Sequence, residues 1–380
     1  MSSALTSLDQ ARCHPEPEQV VHKSGCPRQH WHTLIAPLLA RDAGEPLTLL
    51  LVGANKGYQL AEWASRYSVS NITSREWHAR IIDAGCLVQC CGVCNACRER
   101  KAAPDLRART AAAKPSLRLH AFELQPATAA TLRRAVAAAG LPATVHEVAV
   151  SNSSRDLYVH RRIRSGKESE RPTTAPTPTS IRRAATTLDA FLLGQAEGRR
   201  RAHLVSIDTE GFDGLVLRGA AEALRARRID VIEFEPPFGR GREVLHLAAA
   251  RPASALAVHA EGSHARIIAA RRYLQRWFAP RGGLGATLGW LGALGYACFW
   301  QGNGGALAEA SGECWRDCFG RAATERRAAN TGARVAGRHF WANLVCSHRA
   351  DVLRIFRSDE LRGGRYYHAE RSALQCPPGV

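Results

Sequence analysis

Residues 47–67 read "LTLLLVGANKGYQLAEWASRY". The short apolar run Leu47–Val52 stops at Gly53, which predicts a buried strand. Leu60, Trp63, Ala64 and Tyr67 recur at i, i+3, i+4 and i+7, so a helix follows. The turn between them carries Gly53-x-x-x-Gly57. Glycines let a backbone turn tightly and approach a ligand closely. Backbone N–H groups at the start of the next helix favour polar or anionic groups. An ordinary strand-to-helix bend has the same composition, and the G-x-G-x-x-G dinucleotide fingerprint is absent here.

The same rhythm continues outward. "LRLHAFE" (117–123) alternates as a strand, and Leu132, Ala135, Val136 and Ala139 form the next helix face. "TVHEVAV" (144–150), "HLVSID" (203–208) and "IDVIEFE" (229–235) read as further strands. Phe212, Leu215, Val216 and Gly219 mark the helix that precedes the last of these. Strands alternating with helices predict an α/β fold with a mainly parallel sheet covered on both faces. Ligands of such sheets bind beyond the carboxyl ends of the strands. Gly53, Glu123, Val150 and Asp208 all fall there.

An acidic residue ending the second strand, here Glu123, suits the hydroxyls of a ribose; it also suits a solvated strand end. Taken together, Gly53, Gly57 and Glu123 describe a nucleoside pocket better than any one of them does. Asp208 and Glu210 lie at another strand end beside a helix start. They could act as a general base, a metal ligand or a substrate clamp, or they could cap the helix.

The chain carries a net charge of +18, with 52 basic residues of which only five are lysine. A basic balance raises nucleic acid as a partner, but an Arg and Ala excess with few lysines also arises from coding bias, so charge alone does not favour it. "GLGATLGWLGALGYACFW" (283–300) is uncharged and about long enough to span a membrane. Its glycines disfavour that, and it divides into a helix with Leu284, Leu288 and Leu291 and a strand after Gly295. The N-terminal residues lack the apolar core of a signal peptide, which makes the cytoplasm the default expectation.

Five cysteines crowd between Cys86 and Cys97. Cys86, Cys91, Cys94 and Cys97 are spaced for several thiolates to share one ion, and structural zinc is the metal such a set would take. Free thiols or loop disulfides would use the same residues. "EPPF" at Glu235 reads as a rigid exit from a strand.

Four pieces resemble the FkbM-type S-adenosylmethionine-dependent methyltransferases. They are "VGANKGY" at Val52, "AFELQP" at Ala121, "TTLDAF" at Thr186 and "SIDTEGFDGLVLRGA" at Ser206, followed by "VIEFE" at Val231. The resemblance implies a Rossmann-like class I methyltransferase with a mainly parallel seven-stranded sheet and helices on both faces. Residues 1–45, polar with Pro and His, read as a lead-in, 46–350 as the methyltransferase domain and 351–380 as a tail. Within the domain, residues 70–116 read as a Cys-rich insertion and 165–186 as a mobile loop. The implied reaction is methylation of a hydroxyl on a sugar or small metabolite, the acceptor being a small molecule or glycan.

By the same resemblance, Gly53, Asn55 and Gly57 would face the methionine part of the cofactor and Glu123 the ribose. Asp208 and Glu210 would stand near the methyl-transfer site. Three positions depart from the family pattern: Leu51 stands where Asp is frequent, Ser206 where Lys is usual, and Asp213 where Glu is usual. A catalytically inactive scaffold and a nucleic-acid-binding or -modifying protein with a Cys-rich metal knuckle are the alternatives.

Overall fold

The computed structural model describes residues 30–41, 46–67, 69–86, 116–160, 172, 176–194, 200–209, 211–235, 283–302, 305–314 and 343–362. The chain divides into two compact units. One gathers the described residues from Ala36 to Asp230. The other gathers those up to Ile35 and from Val231 onward.

The first unit is built around strand β1 (Leu47–Val52), every residue of which is buried. Leu49 and Leu50 have no exposure at all, and each side chain so placed contributes roughly 1.5–3 kcal/mol. β1 lies between β2 (Leu117–Phe122) and β7 (Ala202–Ile207), parallel to both. β3 (Ala143–His146) extends the ladder beside β2, again parallel. The register sets Val52 opposite both Phe122 and Ile207. Three strands therefore end level, and the residues that follow them, Gly53, Glu123 and Asp208, emerge side by side.

Helix α1 (His30–Arg41) lies in the stretch expected to be a loose lead-in. Trp31, Ile35 and Leu39 recur four residues apart and are at most 1% exposed, so a buried stripe overrides the polar flanks. Helix α2 (Tyr58–Arg66) follows β1, and its Leu60, Trp63 and Ala64 are fully buried as the spacing predicts. Helix α3 (Ser74–Asp83) occupies the beginning of the expected insertion. A capping box starts it: Thr73 Oγ1 accepts from the Glu76 N–H at 3.1 Å, and Glu76 Oε2 accepts from the Thr73 N–H at 2.7 Å. Helix α4 (Pro126–Ala138) follows β2 with Pro126 in its first turn.

The expected third strand, 144–150, is two strands. β3 ends at His146, and β4 (Ala149–Val150) joins a separate three-stranded sheet with β5 (Asp156–His160) and β6 (Ser180–Thr186). Glu147 falls in the break between them and pairs with Arg133 and Arg183. β6 also corrects the expected loop over 165–186, whose end from Ser180 onward is an ordered strand. Ala149, Leu157 and Ala185 form the small core of this sheet, with Leu124 packed against it. Helices α5 (Leu188–Leu193), α6 (Asp213–Arg218) and α7 (Ala221–Arg225) complete the unit.

The second unit carries an antiparallel ladder in the order β8 (Ile229–Phe234), β11 (Asn343–Ser347), β9 (Ala297–Gln301) and β10 (Leu307–Glu309). A mainly parallel seven-stranded sheet was expected. The mainly parallel character holds for the larger sheet of the first unit, where β1, β2, β3 and β7 all pair parallel, whereas the four strands here pair antiparallel and the count of seven is not reproduced. Cys298 and Cys346 face each other in register and form a fully buried disulfide. Helix α8 (Gly283–Ala293) and β9 divide the uncharged 283–300 stretch as the sequence predicts. No helix among the described residues is long and apolar enough to cross a membrane. Helix α9 (Ala350–Phe356) lies in the expected tail and buries Val352 and Phe356 completely.

Candidate active site

The turn after β1 is fixed by main-chain bonds. Gly53 N–H and Ala54 N–H both donate to the Phe122 carbonyl, at 3.0 and 2.9 Å. The Asp208 N–H donates to the Val52 carbonyl at 2.9 Å. Gly53 has φ +81°, and a Cβ there would lie 1.8 Å from the Asp208 carbonyl oxygen. Both the conformation and the close approach require glycine. Asn55 is left-handed at φ 46°, a region Asn tolerates better than most residues.

Glu123 holds this turn from the neighbouring strand. It is only 6% exposed. Its Oε2 accepts from the Asn55 N–H at 2.7 Å, and its Oε1 accepts from the Gln125 N–H at 2.8 Å. One carboxylate thus ties the loop after β1 to the loop after β2. A carboxylate oxygen accepts two hydrogen bonds, so this structural duty does not exhaust its capacity toward a ligand.

These residues border a cavity of about 110 Å³ whose lining includes Gly53, Asn55, Glu123, Gln125 and Asp208. Asp208 is exposed. Thr209 beside it is held by Asp213, whose Oδ2 accepts from the Thr209 N–H at 3.3 Å and its hydroxyl at 2.8 Å. Asp213 is fully buried. It enters the sequence reading only as a departure from a pattern. The Thr-x-x-x-Asp spacing ahead of an apolar helix is the signal for its role. Glu210 lies outside the described residues.

Gly57 does not line the cavity. Its φ is +69°, and a Cβ there would meet Leu132 Cδ1 of α4 at 2.4 Å and Trp77 of α3 at 3.2 Å. Trp77 also donates to the Lys56 carbonyl at 2.9 Å. The second glycine therefore serves the packing of two helices against the turn. Leu51 and Ser206 are register partners, 2% and 4% exposed, and neither lines the cavity. Ser206 Oγ lies 3.2 Å from Gln59 Oε1 of α2.

Phe122 forms part of the cavity wall and is backed by His146, with ring centroids 4.7 Å apart and nearly parallel. His146 shares a 3.1 Å hydrogen bond with His120, and Phe191 packs edge-on against both imidazoles. Burial, then the His146 ring and the Arg200 and Arg118 charges, push His120 down to about 4. Burial and the charges of Arg200 and Arg133 lower His146 as well. Both rings are neutral near pH 7.

Over residues 52–261 the sequence matches the family described as the methyltransferase FkbM domain, more than half of the chain. The chain belongs to this FkbM family. Among solved structures it is similar to the methyltransferase FkbM from Methylobacillus flagellatus KT, at 10% identity and a TM-score of 0.28. That match covers 58% of this chain and 48% of the other, so the chain spans about half the length of that relative. It is also similar to cofactor-bound Rv0187 from MTB, at 15% identity and a TM-score of 0.30, covering 90% of this chain and 85% of the other. No protein of curated function matches.

The FkbM motifs divide by task in this chain. Gly53, Asn55, Glu123 and Asp208 come together at the cavity. "TTLDAF" does not: Thr187 Oγ1 accepts from the Ala190 N–H at 3.0 Å and caps α5. Asp189 accepts from the N–H groups of Glu222 and Ala223, at 3.1 and 2.7 Å, and caps α7. This motif builds the scaffold. For the expected zinc, no group of three or more His, Cys, Asp or Glu among the described residues could hold a metal. Cys91, Cys94 and Cys97 lie outside the described residues, and Cys86 follows α3, its N–H donating to the Ile81 carbonyl.

Proposed function

We propose that this FkbM-family chain transfers a methyl group from S-adenosylmethionine to a hydroxyl of a sugar or other small metabolite. The observation that carries the reading is the Glu123 carboxylate, fixed by two main-chain N–H groups at a strand end beside the Gly53 turn. An acid so placed suits a ribose diol. The cavity of about 110 Å³ is below the roughly 300 Å³ of the smaller ordinary ligand sites. It takes part of such a cofactor, and the rest would extend through its open side.

The cofactor would bring a methyl group already activated on a sulfonium. The chain's own task is alignment and exclusion of water. Glu123 and the Gly53–Asn55 turn would fix the nucleoside end. Asp208, exposed and on the cavity lining, would accept the proton of an incoming hydroxyl. Thr209, tied down by buried Asp213, holds the main chain beside that acid in one position.

Calorimetric titration of the full chain with S-adenosylmethionine tests the binding half of this reading. Saturable heat at one site is expected, and its absence with folded protein overturns the reading. A screen of sugars and small alcohols with labelled cofactor tests the other half. Transfer that falls by roughly 10²–10⁴ in Asp208→Asn is expected for a general base. Transfer unchanged in that variant removes Asp208 from the role.

A further inference from the structure

Ligand cavities are lined mostly by apolar and aromatic side chains, with a few polar groups that fix orientation. The described phenylalanines sort against that rule. Phe122, Phe234, Phe299 and Phe356 are at most 2% exposed. Phe191 is half-buried, and its ring packs against Phe122, His120 and His146. Among the described phenylalanines only Phe212 is neither buried nor packed against another ring. A lone half-exposed aromatic on an open surface needs no explanation. Phe212 instead lines the cavity, together with Asp208 and Thr209.

The backbone around Phe212 is braced on both sides. Its N–H donates to the Thr209 carbonyl at 3.4 Å, and its carbonyl accepts from the Leu215 and Val216 N–H groups at 2.8 and 3.1 Å. Buried Asp213 ties down Thr209 through the Thr209 N–H and hydroxyl. An acid, a hydroxyl and an aromatic ring thus border one cavity from the same short stretch of chain. The face of a phenyl ring is electron-rich and attracts the positive edges of C–H groups. A pyranose carries C–H groups on its faces and hydroxyls around its rim. An open-chain polyol has no such flat face.

We propose that Phe212 is the platform on which the methyl acceptor lies, so that the acceptor is a pyranose-type sugar ring rather than an open-chain alcohol. This rests on the methyl-transfer reading above and adds to it the residue that positions the acceptor. The C–H face of the sugar meets the aromatic ring, and its hydroxyl rim turns toward Asp208 and Thr209. Phe212 opens α6 without making a side-chain cap, and its main-chain bonds survive substitution of the ring.

The test is transfer from labelled S-adenosylmethionine by the full chain to the methyl pyranosides of glucose, galactose, mannose and fucose, and to the open-chain polyols sorbitol and mannitol. Binding of S-adenosylhomocysteine is measured by calorimetry in parallel. Wild type is expected to favour at least one pyranoside over both polyols by roughly tenfold in kcat/KM. Phe212→Leu is expected to raise the KM of that pyranoside roughly 3- to 10-fold, with a smaller change in kcat. Phe212→Tyr, which keeps the ring, is expected to restore it. Both variants are expected to bind S-adenosylhomocysteine as wild type does. Phe212→Met carries the comparison if Phe212→Leu melts early. The assignment is overturned if wild type uses polyols as well as pyranosides, or uses neither. It is also overturned if Phe212→Leu leaves the KM unchanged or weakens S-adenosylhomocysteine by the same factor, or if Phe212→Tyr does not restore the KM. Transfer to polyols alone removes this assignment and leaves the methyl-transfer reading standing. Failure of wild type to bind S-adenosylhomocysteine at all overturns the cofactor reading, and this assignment with it.

Discussion

A methyl group at position 53 would lie 1.8 Å from the main-chain oxygen of Asp208, whereas at position 57 it would meet the end of a leucine side chain at 2.4 Å. Main chain cannot step aside, and a leucine can rotate. Gly53→Ala should therefore cost about 2–4 kcal/mol, from left-handed strain and overpacking together. Gly57→Ala should cost about 1–2 kcal/mol, mostly strain. Urea unfolding of the two variants checks the order, and a costlier Gly57→Ala would refute the argument. The glycines themselves were legible in the sequence, but their division of labour was not. Position 53 is crowded by a residue from a strand far along the chain, and position 57 by two helices. The Glu123 clasp was equally hidden, because its partners are main-chain N–H groups that any residue would supply.

Elements β2 and β3 set His120 and His146 against α5, and burial keeps both imidazoles neutral. In the unfolded chain a histidine takes up its proton near pH 6.5; here His120 resists until about 4. The stability that the neutral form contributes is whole above pH 6.5 and is lost as pH falls from there toward 4. Melting temperature should drop through that window. His120→Asn should flatten the drop, and an equally steep fall in that variant would refute the assignment. On the antiparallel ladder, Cys298 and Cys346 are both fully buried. Their disulfide should resist reductant in the native protein and yield only with denaturant, as read by alkylation and mass. Cys346→Ala should cost about 2–5 kcal/mol in unfolding experiments. Strands and helices that bury a whole face were legible from hydrophobic period alone. The three-stranded sheet was not: β4 is two residues long, and β6 carries Arg182 and Arg183, so neither shows an apolar run.

Across the whole molecule, family membership and the α/β character followed from motif order along residues 47–235, while the division into two units left no mark in composition. A protein that binds a cofactor only when folded is stabilised by mass action. S-adenosylmethionine at one hundred times its dissociation constant should add about 2.7 kcal/mol to unfolding, and a melting curve indifferent to it would contradict the proposed function. Spectroscopy offers a second view. Because one carboxylate clasps the amide protons of Asn55 and Gln125, those two protons share an electronic environment although they are distant in the chain. In a nitrogen–proton correlation spectrum they form a built-in pair of sensors. A molecule that engages Glu123 must shift both resonances together, and one that settles elsewhere on the surface will leave both still.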